Sequence, residues 1–130
     1  MKLNLITLDG HSLSHKIESN ILTTRSELHL KARELLQQEF PFVSILEEVY
    51  MPVLKKKKLP FDFFIPKNNL IIEVHGEQHF KYIPFYHKTK FDYLRSKVRD
   101  NDKKEWCNLN KFRLVEFLWN ENIETWKMKL

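Results

Sequence analysis

Strand-like and helix-like patterns divide the chain into successive elements. Residues 2–8 alternate apolar and polar as a strand does. Residues 9–22 carry no clear period and read as irregular or weakly helical. Thr24-Arg25-Ser26-Glu27 has the form of a capping box, a hydroxyl followed three residues later by a carboxylate. It predicts a helix with Leu28, Ala32, Leu35 and Leu36 on its apolar face, ended by Pro41. Residues 43–53 read as a strand in which Pro52 marks an edge or a bulge. After the basic turn Lys55-Lys56-Lys57-Lys58, residues 59–65 and 70–75 form two strong strands around the turn Pro66-Lys67-Asn68-Asn69. Residues 77–88 read as an aromatic and basic loop. A long helix is expected over about 89–109, with Phe91, Leu94, Val98 and Trp106 facing inward. Residues 112–118 return to a strand, and Asn120 is expected to cap a short last helix carrying Ile123 and Trp126.

The core order is helix, three strands, helix, strand. It predicts a single α/β domain over 23–130, a central mixed sheet flanked by helices. Residues 1–22 are expected to form an extension, a dimerisation or DNA-contacting arm.

Composition narrows the function. With only Gly10 and Gly76, no glycine-rich phosphate loop or dinucleotide fingerprint can be written. The one cysteine, Cys107, excludes an internal disulfide, and a cytoplasmic location is expected. No apolar run approaches membrane-spanning length, so no membrane partner is expected. Asp9, His11 and Lys16 interrupt the start of the chain, which does not read as a signal peptide. Charge adds more. Residues 55–111 hold 14 Lys/Arg against 7 Asp/Glu, within a chain of net charge +5. A basic segment on a near-neutral scaffold suggests a polyanionic partner, nucleic acid first, beside the plainer reading of a solvated lysine-rich surface.

The candidate chemistry starts from two carboxylates. Side chains on a strand alternate between faces, so Leu59, Phe61, Phe63 and Ile65 should share one face and Asp62 should point the other way. In the next strand Ile71, Glu73 and His75 share a face. A tight loop at Lys67-Asn68 sets Asp62 opposite Glu73. Like charges directly opposed are destabilising unless a positive charge lies between them. Mg²⁺, or Mn²⁺ in its place, would supply it and leave positions for water and a substrate phosphate. The alternative is a different register, with both acids bonded to Lys or Arg.

His75 and His79 flank this pair and could position water or move protons. His75 and His79 with His87 and Cys107 also invite a zinc reading, at a spacing that matches no standard zinc motif. Lys55, Lys56, Lys57, Lys58, Lys81, Lys90, Arg95, Arg99, Lys103 and Lys104 are candidate phosphate contacts. Arg99-Asp100 reads as a local ion pair or a support for the site. Phe80, Tyr82, Phe85 and Tyr86 could stack on bases or cap the core. Glu27 suffices as a capping residue, and would also fit as a third acid.

Together Phe61-Asp62-Phe63, Ile72-Glu73-Val74-His75-Gly76-Glu77-Gln78-His79-Phe80, Arg99-Asp100, Lys103-Lys104-Glu105-Trp106-Cys107 and the strand Arg113 to Phe117 resemble the PD-(D/E)XK nuclease superfamily. They are most similar to its branch related to very-short-patch-repair endonucleases, which includes phage and homing-type enzymes with the residue pattern EDxHD. The resemblance covers roughly residues 24–118. It implies a restriction-endonuclease-like fold and metal-dependent hydrolysis of DNA phosphodiesters. Asp62 would be the central metal ligand, and Glu73 a second or water-mediated ligand. Glu27 would match the helix acid, and His79 the histidine of acid/base chemistry. His75 stands where the wider superfamily often has lysine, and Pro84 where the branch has its final Asp. The expected function is therefore a Mg²⁺- or Mn²⁺-dependent endonuclease on double-stranded DNA, site-specific or structure-specific, with a homodimer as one route to cutting both strands. The alternative, supported by Pro84, is a non-catalytic DNA-binding or assembly protein on a degenerate nuclease fold.

Overall fold

A computed structural model describes residues 1–21 and 24–130. Its centre is a four-stranded sheet of β3 (Leu46–Leu54), β4 (Lys57–Ile65), β5 (Leu70–His75) and β6 (Arg113–Leu118), in that spatial order. The first three strands are antiparallel, and β6 joins β5 in parallel. A parallel neighbour requires a crossover, and α2 (Lys90–Leu109) provides it. The chain is thus α/β with a mixed central sheet.

α1 (Glu27–Glu39) and α3 (Ile123–Lys129) cover one face of the sheet. Ala32, Leu35 and Leu36 from α1 and Trp126 from α3 pack there on Phe63, Ile65, Leu70, Ile72 and Phe117. Ser26 and Asn122 are the N-caps, each accepting from the backbone N–H three residues on. The cap of α3 is therefore Asn122, two residues after the Asn120 expected there. On the other face Trp106 and Cys107 of α2 pack with Phe61, Phe64 and Ile71.

Residues 9–21 are not helical, and residue 22 lies outside the described residues. Ser12–Lys16 form β2, paired antiparallel with β1 (Lys2–Ile6) through a turn at Gly10, whose φ of +83° suits glycine. Leu5 and Ile17 of this segment are buried with Val49, Met51 and Val53 of β3. The first residues are therefore part of the core.

Two departures from regular alternation shape the sheet. Phe61 and Phe63, expected on one face, lie in the two opposite core clusters. The pairing of β3 with β4 is interrupted between Glu47↔Phe63 and Val49↔Phe61, where Glu48 adopts a left-handed φ of +48°. Such a conformation in a bulky non-glycine residue is strained, and it reorients the strand locally. The second departure is at Pro52, where β3, an edge strand, shifts register before Leu54.

α2 differs from expectation in its first half. Trp106 is buried, but Phe91, Leu94 and Val98 are 64%, 58% and 60% exposed. A 20-residue helix is about 30 Å long and a six-residue strand about 20 Å. α2 runs back along β5 and β6, so its first turns overhang the end of the sheet.

Candidate active site

The pairing Phe63↔Ile72, Phe64↔Ile71, Ile65↔Leu70 brings Asp62 to the next position beside Glu73, as the hairpin argument expects. Glu48 occupies the matching gap on β3, and Glu73 pairs directly with Glu116 on β6. Four carboxylates, Glu48, Asp62, Glu73 and Glu116, thus mark one row across all four strands.

Such a row needs positive charge, and three basic residues provide it. Arg25, just before α1, bonds Glu48 at 3.1 Å and approaches Asp62 at 3.4 Å. Lys103 of α2 donates to Glu73 Oε1 at 2.7 Å. Lys104, one residue on, lies 3.5 Å from Glu116. Asp62 Oδ2 also accepts the backbone N–H of Val74 at 2.8 Å. Burial, then the charge of Asp62, pushes the Glu73 carboxyl well above its ordinary range, and Lys103 opposes this. Burial would lower the Lys103 ammonium, but Glu73 holds it above its ordinary value. The register is the one expected for a cation between the acids, yet both acids bond a basic residue, Asp62 with Arg25 and Glu73 with Lys103. Their carboxylate oxygens, from neighbouring strands, are also a donor set that suits Mg²⁺ or Mn²⁺.

Two residues beyond Glu73, His75 faces the same side and is 6% exposed. A short 3-10 turn, Glu77–His79, then brings His79 back against it, with ring centroids 4.5 Å apart. His79 Nδ1 lies 2.9 Å from Asp100 Oδ2, one helical turn before Lys103 and Lys104. Burial would raise the Asp100 carboxyl, but the hydrogen bond with His79 holds it below its ordinary range. These groups line a pocket of about 110 Å³ together with Lys97, Lys104 and Glu116.

Glu27 is exposed on the first turn of α1, makes no ion pair among the described residues, and is not in the row. The acid beside Asp62 is Glu48. Sequence reasoning missed it because neither the β3 register nor the strained φ at Glu48 leaves a residue-type signal. Pro84 is exposed in the loop, and Asp100 is the acid that meets His79. His87 and Cys107 do not join His75 and His79. His87 Nδ1 accepts from the Ile83 backbone, and Cys107 is buried beside Trp106 with its thiol pushed up to about 12 by burial.

The basic candidates divide. Lys103 and Lys104 are at the site. Lys55, Lys56, Lys57 and Lys58 are exposed at the β3–β4 tip, at the end of the sheet where β5 leads into the loop. Lys81 pairs with Glu77, and Arg95 with Asp92 while stacking on Phe91. Lys90 and Arg99 are exposed. Phe80, Phe85 and Tyr86 are 48%, 88% and 59% exposed, so they do not cap the core.

No family model and no solved structure matches the chain. Two curated viral proteins are similar to it. Uncharacterized protein 307L of Invertebrate iridescent virus 6 is 40% identical over 58 residues, covering 45% of this chain and 29% of the viral protein. Uncharacterized protein 033L of Invertebrate iridescent virus 3 is 28% identical over 96 residues, covering 72% and 50% respectively. The chain thus spans half or less of each relative. Among the described residues no helix is long and apolar enough to cross a membrane.

Proposed function

We propose that the protein is a divalent-metal-dependent endonuclease acting on double-stranded DNA. The observation that carries this reading is the row Glu48, Asp62, Glu73, with Arg25 and Lys103 set against it. A stable fold has no need of three acids aligned across neighbouring strands, and their mutual repulsion marks a site. Asp62 and Glu73 would hold Mg²⁺ or Mn²⁺, which when bound supplies Lewis-acid stabilisation of a phosphoryl oxygen. Lys103, which donates to Glu73, would supply a positive charge to stabilise the negative charge developing on the scissile phosphate. His79, oriented by Asp100, would carry a proton to or from an oxygen of the substrate. The exposed lysines of the β3–β4 tip and the rim of α2 would hold the DNA backbone, making binding strongly salt-dependent.

The test is incubation of the full chain with supercoiled plasmid and Mg²⁺ or Mn²⁺, beside Asp62→Ala. Metal-dependent nicking or linearisation lost at least about 100-fold in the variant is the expected result. Absence of cleavage on plasmid and on branched duplexes, with salt-dependent binding retained, would overturn the enzyme in favour of a DNA-binding protein. A homodimer is the arrangement expected if both strands are cut together, and sedimentation of the DNA complex reads it directly.

A further inference from the structure

We infer that His75, His79 and Asp100 form a second metal site, selective for a first-row transition-metal dication of the zinc class rather than for Mg²⁺. One ligand atom from each residue can be chosen so that all lie within 4.8 Å of one another. Metal–nitrogen and metal–oxygen bonds of about 2.0–2.2 Å fit inside that spread. The 2.9 Å separation of His79 Nδ1 and Asp100 Oδ2 also suits two neighbouring ligands of one ion.

The deciding observation is at His75. Its side chain is 8% exposed, and its Nδ1 is buried with no hydrogen-bond partner. A buried ring nitrogen without a partner costs free energy, and native structures pair such atoms with rare exceptions. A cation on Nδ1 satisfies it. The other nitrogen, Nε2, faces Glu116 Oε1 at 3.7 Å. A ligating histidine characteristically turns its second nitrogen to a carboxylate, which fixes the tautomer and raises the ring's basicity. Glu116 is therefore the orienting residue for His75.

The donor set gives the selectivity. Two imidazoles and one carboxylate favour zinc, cobalt, nickel or iron, whereas Mg²⁺ takes oxygen donors and holds its waters. Three protein ligands leave positions open. Those positions face a pocket bordered by Lys97 and Lys104, so the exchangeable ligand is an anion or hydroxide. This site uses neither Asp62 nor Glu73, and with the ion bound His79 and Asp100 serve as its ligands in place of the proton-transfer role the nuclease reading gives them.

Co²⁺ is the probe, because its visible absorption reports ligand type and geometry without any assay of activity. The full chain is expected to bind one equivalent of Co²⁺ with a visible band that Zn²⁺ displaces and excess Mg²⁺ does not. His75→Ala and Asp100→Ala should each weaken binding about 100-fold, and Glu116→Gln about 10-fold. Asp62→Ala should leave it unchanged. As a check free of substitutions, sub-stoichiometric Co²⁺ in excess Mg²⁺ should shift and broaden the ring-proton signals of His75 and His79 before those of His11 and His15. No stoichiometric Co²⁺ band, binding that survives in a folded His75→Ala/His79→Ala protein, or uniform broadening of all histidines would overturn the site. Co²⁺ binding without DNA cleavage would support this site and count against the nuclease. Cleavage without Co²⁺ binding would do the reverse.

Discussion

Two histidine–carboxylate clusters stand on opposite faces of one sheet, and they are built to different ends. On the α1 face His29 Nε2 meets Glu47 Oε1 at 2.7 Å, and Arg33 bonds both oxygens of Glu47 at 2.9 Å. Arg25 donates to His29 Nδ1 at 2.7 Å, so the ring accepts on Nδ1 and carries its proton on Nε2. The ring stacks on Phe63. Both ring nitrogens are occupied, and nothing remains for a ligand. On the α2 face His75 keeps one nitrogen without a partner and opens into a pocket. The same residue types therefore serve as a closed strut in one place and as an unfilled site in the other. What separates them is hydrogen-bond completeness.

The sharpest test of that contrast is on stability. Glu47→Ala leaves His29 and Arg33 without their acceptor at a buried position and should cost about 3 kcal/mol. His75→Leu removes a polar atom that has no partner, so it should change stability by less than about 1 kcal/mol in metal-free buffer. Urea midpoints at unchanged slope read both. Equal losses in the two variants would break the comparison.

Next is Lys103, the cation that offsets the repulsion between Asp62 and Glu73. Lys103→Met keeps most of the stem and removes the ammonium, which lies 5.0 Å from the Phe61 ring centroid as well as against Glu73. The expected cost is about 2 kcal/mol, with a cleavage loss of about 100-fold if the nuclease reading is right. Stability lost with cleavage intact would make Lys103 a strut like Arg33.

Much of this was legible in the sequence. The hairpin loop after Ile65 and the alternation in β5 were enough to set Asp62 beside Glu73, because register follows from turn length. Pro52 correctly signalled an edge with a bulge. Glu27 lies outside the row, and the Thr24–Glu27 capping box expected of it does not form either, because Ser26 is the N-cap and leaves Glu27 exposed at the first helical position. Glu48 stayed hidden because its left-handed backbone is imposed by tertiary contacts, with no glycine or asparagine to announce it. β2 was unreadable because its one strongly apolar residue is Leu13, and a strand that pairs only with β1 on the surface needs no hydrophobic face.

A smaller effect is the pH response of the closed cluster. Burial alone would raise the Glu47 carboxyl, but hydrogen bonds from Arg33 and His29 more than offset it and hold it below the usual 4.5. The folded state therefore releases this proton more readily than the unfolded chain. Its stabilisation is complete above the ordinary carboxylate range and is lost as pH falls through the lower folded value. Urea midpoints should decline from about pH 5 towards pH 3, and Glu47→Gln should flatten that decline by up to about 1.4 kcal/mol per pH unit. An identical acid limb in the variant would show that other carboxylates carry it.

The smallest effect is expected on α2, whose two halves repeat the lesson with apolar residues. Phe91, Leu94 and Val98 have the spacing of a core stripe, yet they overhang the sheet and meet solvent. Trp106, on the same helix, is fully buried. Periodicity shows that a helix has an apolar face; the length of the neighbouring strands decides how much of it is covered. Serine at Phe91, Leu94 or Val98 should each shift stability by no more than about 0.5 kcal/mol. Trp106→Ala should cost about 3–5 kcal/mol. Urea midpoints for the four variants make the check. A loss above about 2 kcal/mol at Leu94 or Val98 would mean that the first half of α2 is covered in solution and that the overhang is wrong.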